Sequence, residues 1–171
     1  PRIISDFSAK MDGIVNAFLP GSMGAQAIVD VLFGDFNPSG TLPFTYPANS
    51  GDLLTYDHKN LSAMVRTAPN KKTYGGYHPA FKFGDGLSYS DFSISDFKLN
   101  SDTISGDEKL QISFQLKNNS NVDGTKNIDV FIKDHFATLA PDVMNLKAIT
   151  KVFLKGGAQK EVFITLDKND L

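Results

Sequence analysis

Residues 31–47 have the sequence VLFGDFNPSGTLPFTYP, and this stretch indicates the order of the elements on both sides of it. The apolar helical periodicity stops at Phe33, and Gly34 has the permissive backbone that ends many helices. Asn-Pro-Ser-Gly at residues 37–40 is typical of a turn. A segment of β type follows and runs to Pro47. The stretch therefore predicts a helix, a fixed turn and the start of a strand.

The residues before this stretch predict an α/β arrangement. Ser5 or Asp6 is placed to cap a short helix that ends near Lys10. Residues 13–19 are mostly apolar, which indicates a buried strand of a parallel sheet. The helix that follows has an apolar face, formed by Ala27, Ile28, Val31 and Leu32.

The loop at residues 20–24 joins the predicted strand to the predicted helix. In parallel sheets ligands collect at the carboxyl ends of strands, so this loop, with Ser22 and Met23, is a candidate binding site. The alternative is that Gly21 and Gly24 only allow a tight turn. Their spacing matches neither a dinucleotide fingerprint nor a Walker loop, so nucleotide binding is not indicated.

Residues 47–80 contain few apolar side chains and several Pro and Gly residues, which predicts a long connecting loop. Loops longer than about 12 to 15 residues in compact chains are commonly functional or disordered. Tyr56, His58 and Tyr77 make this loop a candidate to face a ligand. A solvated surface loop is the alternative.

From residue 88 onward apolar and polar residues alternate, as in half-buried antiparallel strands. The apolar positions are Leu110, Ile112, Phe114 and Leu116, then Ile128, Val130 and Ile132, then Val162, Ile164 and Leu166. Turn residues separate these segments at 118–124 and 156–157. The pattern predicts a β-sandwich of immunoglobulin or fibronectin III type. The fold class expected is therefore α/β followed by all-β.

Composition excludes several classes of function. The formal net charge of −2, from 17 basic and 19 acidic residues, leaves no basic stripe for nucleic acid and no polybasic patch for a membrane. The absence of cysteine excludes disulfides, thiolate nucleophiles and zinc sites built on Cys. The two glutamates, Glu108 and Glu161, lie in or beside β-type segments, where an exposed charged residue is expected.

No metal site is predicted. The run Asn119-x-Asn121-x-Asp123-Gly124 imitates the start of a calcium loop, but Val130 stands where the bidentate Glu is required, so a hairpin turn is predicted instead. The histidines, His58, His78 and His135, lack the spacing of metal ligands.

Two short glycosylation sequons are also present, at residues 60–62 and 118–120.

Four blocks of sequence follow one another along the chain. They are Leu19-Pro20-Gly21, the run from Gly24 to Asp35, Asn37-Pro38-Ser39-Gly40-x-Leu42-Pro43, and Phe81-x-Phe83-Gly84-x-Gly86-Leu87-Ser88-Tyr89. In this order they resemble glycoside hydrolase family 3. The β-rich half is similar to the fibronectin III-like domain found in many β-glucosidases of that family, and Tyr56-x-His58-Lys59 resembles bacterial members.

The resemblance implies a domain organisation. Residues 1–46 are expected to be the end of an α/β-sandwich domain, residues 47–87 a connecting loop, and residues 88–171 a fibronectin III-like domain that lacks its closing strands. Such an incomplete sandwich exposes unpaired strand edges, so the chain is expected not to fold in isolation.

The resemblance also implies an activity, that of a retaining, exo-acting β-glucosidase. The family mechanism uses two carboxyl groups about 5 to 5.5 Å apart. The nucleophilic Asp and the acid/base Glu are expected upstream of Pro1, so no catalytic residue is assigned here and the segment alone is expected to be inactive. The expected partners are a β-glucoside or β-glucan oligosaccharide as substrate and the N-terminal barrel domain of the same protein. An oligomer is compatible with this expectation. No cofactor is expected, and the expected location is periplasmic or secreted.

Together with the resemblance, these observations lead us to expect that the loop at residues 20–24, with Ser22 and Met23, helps wall the sugar site. Lining of the pocket entrance is expected from Tyr56, His58 and Tyr77. Met23 occupies a position where many family members carry an acidic residue, which departs from the pattern. In the Phe83 block, Asp85 replaces the usual aromatic residue.

Two alternatives remain open. A non-catalytic carbohydrate-binding or adhesive sandwich module is one, although such modules bind through aromatic platforms and this chain has no Trp. The other is a β-xylosidase or N-acetylglucosaminidase of the same family, which these residues do not separate from a glucosidase.

Overall fold

The computed structural model describes residues 2–59 and 77–170. The chain divides into two compact units, each assembled from separate segments. Unit 1 contains Pro1–Asn16, Thr41–Asp85 and Phe131–Asn145, and unit 2 contains Ala17–Gly40, Gly86–Val130 and Leu146–Leu171.

The described part of the chain is mostly strands with few helices. The helices are α1 (Ser5–Ser8) and α2 (Gly24–Phe33). The strands are β1 (Phe92–Leu99), β2 (Leu110–Asn118), β3 (Gly124–Ile132), β4 (Asn145–Leu154) and β5 (Gln159–Leu166). Neither described helix has the length and apolarity to cross a membrane.

The end of α2 confirms the prediction made from the sequence. Gly34 follows the last helical residue in the left-handed conformation, with φ of 85°, and its N–H donates to the Val31 carbonyl at 3.2 Å. Glycine adopts this conformation without steric cost because it has no Cβ. The predicted apolar face is only partly covered, since Ile28 and Val31 are half-buried whereas Ala27 and Leu32 are exposed.

The predicted strand at residues 13–19 is wrong. The structure assigns no regular element there, and Val15 and Leu19 are 55% and 97% exposed. A strand needs at least one hydrogen-bonded neighbouring strand, and none of the described strands pairs with this segment. An apolar run alone therefore does not make a strand.

The first helix is shorter than expected and is capped differently. Helix α1 spans four residues, and neither Ser5 nor Asp6 caps it, because the N-cap position is Ile4 and carries no side-chain hydrogen bond. The Ser5 hydroxyl donates instead to the Ala48 carbonyl, at 2.5 Å. The hydroxyl thus makes a long-range contact in unit 1 rather than a local cap.

The strand predicted after the turn at 37–40 is reduced to one bridge, between Tyr46 and Phe81. The Tyr46 N–H donates to the Phe81 carbonyl at 2.9 Å, and the Leu42 N–H donates to the Asp85 carbonyl at 2.8 Å. Residues 42–46 thus run beside residues 80–85. Pro43 and Pro47 have no N–H, so a regular ladder cannot form along this segment.

The β-rich half forms two sheets, a three-stranded antiparallel sheet in the order β1-β2-β5 and a two-stranded sheet of β3 and β4. On β2 and β5 the inward positions confirm the predicted alternation, whereas on β3 Ile128 is buried and Val130 and Ile132 are half-buried. The buried apolar residues are Ile112, Phe114 and Leu116 on β2, Val162, Ile164 and Leu166 on β5, Ile128 on β3, and Val152 and Leu154 on β4. These side chains form the core of unit 2. Assignment to the fibronectin III type stays a prediction.

The predicted hairpin at residues 119–124 is wrong, although the turn itself is present. Strand β2 ends at Asn118 and β3 begins at Gly124, and the two strands belong to different sheets. The Asp123 carboxylate accepts a hydrogen bond from the Gly156 N–H at 2.8 Å. The segment is therefore a crossover connection, and its Asp123 carboxylate binds the turn between β4 and β5.

Candidate functional site

Residues 55–59 of the connecting loop form a tight turn in unit 1. The His58 N–H donates to the Thr55 carbonyl at 3.2 Å, and the His58 Nδ1 lies 2.7 Å from the same oxygen. Because a carbonyl oxygen only accepts, Nδ1 is the donor. In the neutral ring this leaves Nε2 as a hydrogen-bond acceptor.

The structure brings His58 and Tyr77 together, although the sequence separates them by 19 positions (77 − 58). Their rings are stacked with centroids 4.6 Å apart and an interplanar angle of 27°. The Tyr77 hydroxyl lies 3.3 Å from the Thr45 hydroxyl. Both rings are half-buried, so the pair forms a supported aromatic surface that still reaches solvent.

Tyr56 has a different environment, in a cluster of three rings. Its ring lies 4.4 Å from that of Phe83 and 5.8 Å from that of Phe131, and the two Phe rings are 6.1 Å apart. The second and third contacts are edge-on, the geometry that aromatic quadrupoles favour. Tyr56 therefore anchors the loop through packing.

Sequence reasoning missed the two Phe partners of Tyr56. Phe83 had a signal, since it lies in one of the four family-like blocks. Phe131 also had one, because it stands between Val130 and Ile132, at a position where the alternation expects a polar residue. A large aromatic residue on the polar face of a strand indicates a second packing partner.

A second set of contacts fastens the turn to residues 142–143. Lys59 and Asp142 form an antiparallel bridge, and the Val143 N–H donates to the His58 carbonyl at 3.0 Å. The Lys59 Nζ also lies 2.5 Å from Asp142 Oδ1. No pattern in the sequence indicated this pairing, because the two segments are far apart along the chain.

Ser22 and Met23 belong to unit 2 and lie at the start of α2. Ser22 is exposed, and Met23 is 74% exposed and occupies the N-cap position without a side-chain hydrogen bond. The Gly24 N–H donates to the Gly21 carbonyl at 3.3 Å, and a Cβ on Gly24 would lie 2.4 Å from Pro20 Cβ. The glycines thus serve a tight turn, and a substrate contact by Ser22 or Met23 stays a prediction.

The two glutamates occupy structural positions. Glu108 Oε2 accepts a hydrogen bond from the Ser105 N–H at 3.1 Å, and Glu161 lies exposed on β5, opposite Gln115. Among residues 2–59 and 77–170, no group of three or more His, Asp or Glu residues is arranged to hold a metal ion.

One of the two sequons is inaccessible. Asn118 is 0% exposed, and its amide is engaged in hydrogen bonds on both its oxygen and its nitrogen. Glycosylation of this residue would require local unfolding. The other sequon, at residues 60–62, lies outside the described residues.

The family model for the glycosyl hydrolase family 3 C-terminal domain matches residues 1–89. The chain therefore belongs to this family. The match includes the loop at residues 20–24, the turn that holds His58, and Tyr77.

The curated relatives that match this chain are named as beta-glucosidases. A periplasmic beta-glucosidase of Salmonella typhimurium is 36% identical over 164 residues, which include 92% of this chain and 21% of the relative. A lysosomal beta glucosidase of Dictyostelium discoideum is 32% identical over 179 residues, with 98% and 20% covered. The chain thus spans about a fifth of the length of the curated relatives it matches.

A solved structure has the same fold. The chain superposes on beta-glucosidase 3B from Thermotoga neapolitana, determined in complex with glucose, with a TM-score of 0.81 and 25% identity. This likeness covers 99% of the present chain and 25% of the neighbour.

Proposed function

We propose that the chain is the C-terminal portion of a retaining, exo-acting β-glucosidase that releases β-linked glucose from the non-reducing ends of oligosaccharides or glucosides. The observation that carries this proposal is the family match over residues 1–89. The relatives described above are all named β-glucosidases, which supports glucose as the sugar that is released.

The chemistry is assigned to residues outside this chain. A retaining mechanism needs one carboxylate as nucleophile and one carboxyl group as acid and base. The environments of Glu108 and Glu161, a turn amide and an exposed strand face, suit neither role. As the family resemblance implies, we place the Asp nucleophile in the N-terminal barrel and the acid/base Glu in the preceding part of the α/β domain, both upstream of Pro1. Two carboxyl groups suffice for this reaction, so no cofactor is required.

The role of this chain is to help form the substrate pocket. The axial C–H groups of a β-linked glucopyranose form an apolar face, which packs well on an aromatic ring. The stacked pair of His58 and Tyr77 offers such a surface, and His58 Nε2 can accept a hydrogen bond from a sugar hydroxyl. Tyr56 supports the turn from its ring cluster. Separately, we propose a substrate contact by Ser22 or Met23 in the loop at residues 20–24.

The location and partners follow from the same proposal. One relative is named periplasmic and another lysosomal, and both of these compartments lie outside the cytoplasm. We therefore assign this protein to the periplasm or the extracellular space. Its macromolecular partner is the N-terminal barrel domain of the same polypeptide, and an oligomer is compatible with this arrangement.

The activity is tested with the full-length protein. It is expected to hydrolyse an aryl β-glucoside, and proton NMR at early times is expected to show the β-anomer of glucose first. A cello-oligosaccharide should be shortened by one glucose at a time, which tests exo action. Faster turnover of an aryl β-xyloside or N-acetyl-β-glucosaminide would reassign the sugar, and initial release of the α-anomer would contradict retention.

The binding role of the loop is tested by single substitutions in the full-length protein. Replacing His58 or Tyr77 with Ala is expected to raise KM about five- to tenfold, since an aromatic contact contributes about 1 to 1.5 kcal/mol. His78→Ala is the matched control, because His78 is an exposed neighbour of Tyr77. An unchanged KM in both His58→Ala and Tyr77→Ala would remove the loop from the pocket.

A further inference from the structure

The ion pair between Lys59 and Asp142 stands immediately beside the aromatic pair assigned to substrate binding. Lys59 follows His58 directly, and the Val143 N–H, which follows Asp142, donates to the His58 carbonyl at 3.0 Å. The backbone of His58 is therefore held on one side by the Thr55 turn and on the other by residues 142–143.

This pair contributes little to global stability. The Lys59 and Asp142 side chains are 50% and 29% exposed, and exposed pairs typically contribute only about 0 to 1 kcal/mol. Because the pair is partly exposed, dissolved ions screen the attraction between the two charges, so this attraction weakens as the salt concentration rises. The contribution of the pair is therefore local, to the geometry of the turn.

We infer that Lys59 and Asp142 are positioning residues that hold the His58 ring against Tyr77 for substrate binding. This inference rests on the proposed function, since it deepens the role given to the loop. The ion pair joins two segments of unit 1, residues 55–59 and 142–143, so it fixes where the turn lies. The His58 ring and its Nε2 then face the substrate in one orientation, and less conformational entropy is lost on binding.

The test uses KM and kcat of the full-length protein with an aryl β-glucoside. Asp142→Asn and Lys59→Met are each expected to raise KM by up to about fivefold, the factor that corresponds to about 1 kcal/mol, with kcat unchanged. The charge-swapped double variant, Lys59→Asp with Asp142→Lys, is expected to restore most of the lost affinity. A role in stability alone would not produce this rescue of KM.

Salt provides a second measurement. The KM of the wild-type protein is expected to rise with ionic strength, and this dependence is expected to be weaker in Asp142→Asn, where no ion pair remains to be screened. The matched control is Asp107→Asn, which removes the ion pair of Asp107 with Lys168 in unit 2 and should leave KM unchanged.

The outcomes separate this inference from the proposed function. If His58→Ala raises KM but Asp142→Asn does not, or if the charge swap restores nothing, the positioning role is overturned and the pocket assignment stands. If His58→Ala and Tyr77→Ala leave KM unchanged, the pocket assignment itself fails.

Discussion

Asn118 shows what a single polar side chain does at the end of a strand. Its Nδ2 donates to the Val122 carbonyl at 2.8 Å and to the Leu154 carbonyl at 3.4 Å, and its Oδ1 accepts from the Ser120 N–H and hydroxyl, at 3.1 and 2.7 Å. A buried amide is tolerated because these hydrogen bonds replace those with water. The side chain therefore joins the end of β2 to the end of β4.

We predict that Asn118→Ala destabilises the protein by about 1 to 3 kcal/mol, because it removes the hydrogen bonds that the buried amide makes to the Ser120 N–H and to the Val122 and Leu154 carbonyls. The measurement is the apparent melting temperature of the full-length protein. Asn121→Ala is the matched control, since Asn121 lies in the same connection but is exposed, and it should change the melting temperature little. Equal effects of the two substitutions would contradict the role given to the Asn118 amide.

At the scale of elements, the two connections between the sheets pack against each other. The Gly157 N–H donates to the Ser120 carbonyl at 2.9 Å, and the Gly156 N–H donates to Asp123 Oδ1 at 2.8 Å. A Cβ on Gly156 would lie 2.5 Å from the carbonyl carbon of Asn121. The absence of a side chain at Gly156 thus permits the contact between the two connections.

Gly156→Ala is expected to cost about 1 to 3 kcal/mol, because the added methyl group would force the backbone of the two connections apart. Gly13→Ala serves as control, since the space around Gly13 is open. Thermal unfolding of the full-length variants measures both changes. A Gly156→Ala protein as stable as wild type would show that the connections can separate without cost.

At the scale of the whole molecule, many apolar side chains of this chain reach solvent. Leu19 is 97% exposed and Phe33 is 80% exposed, and both lie in unit 2. Exposed apolar surface of this extent indicates contact with other protein. This observation agrees with the proposal that the chain is one portion of a larger enzyme.

Residues 1–171 expressed alone are accordingly expected neither to fold nor to hydrolyse an aryl β-glucoside. Near-UV circular dichroism tests the first expectation and a turnover assay the second, with the full-length protein as positive control for both. Clear turnover by the isolated chain would overturn the placement of the catalytic carboxylates upstream of Pro1.

The predictions that were confirmed depend on local rules. Gly34 ends α2 because a left-handed residue favours glycine, and β2 and β5 bury alternate residues because side chains of a strand alternate between its faces. The predictions that failed depended on which distant segments pair with each other in the folded protein. Residues 13–19 have the composition of a strand, but a strand exists only where another strand supplies its hydrogen bonds.

In the candidate site, too, the sequence predicted residue types but not the contacts between distant segments. The sequence indicated His58 and Tyr77 as residue types suited to a sugar, but not that their rings stack. It also indicated Asn37 as a turn residue, whereas the structure shows its amide bonded to Ser88, Tyr89 and Ser90 and to the Asp123 carbonyl. Contacts between distant segments leave no periodicity by which they can be found.

The sequence by itself determined the family, the end of α2 at Gly34 and the inward faces of the strands. Each of these depends on residues that are close together along the chain or on blocks in a fixed order. Only the tertiary structure decided that the connection at residues 119–123 crosses between sheets, that Tyr56 packs on Phe83 and Phe131, and that Lys59 pairs with Asp142. The physical reason is that these contacts form after the core of each unit has brought remote segments together, so their partners cannot be chosen from local propensity.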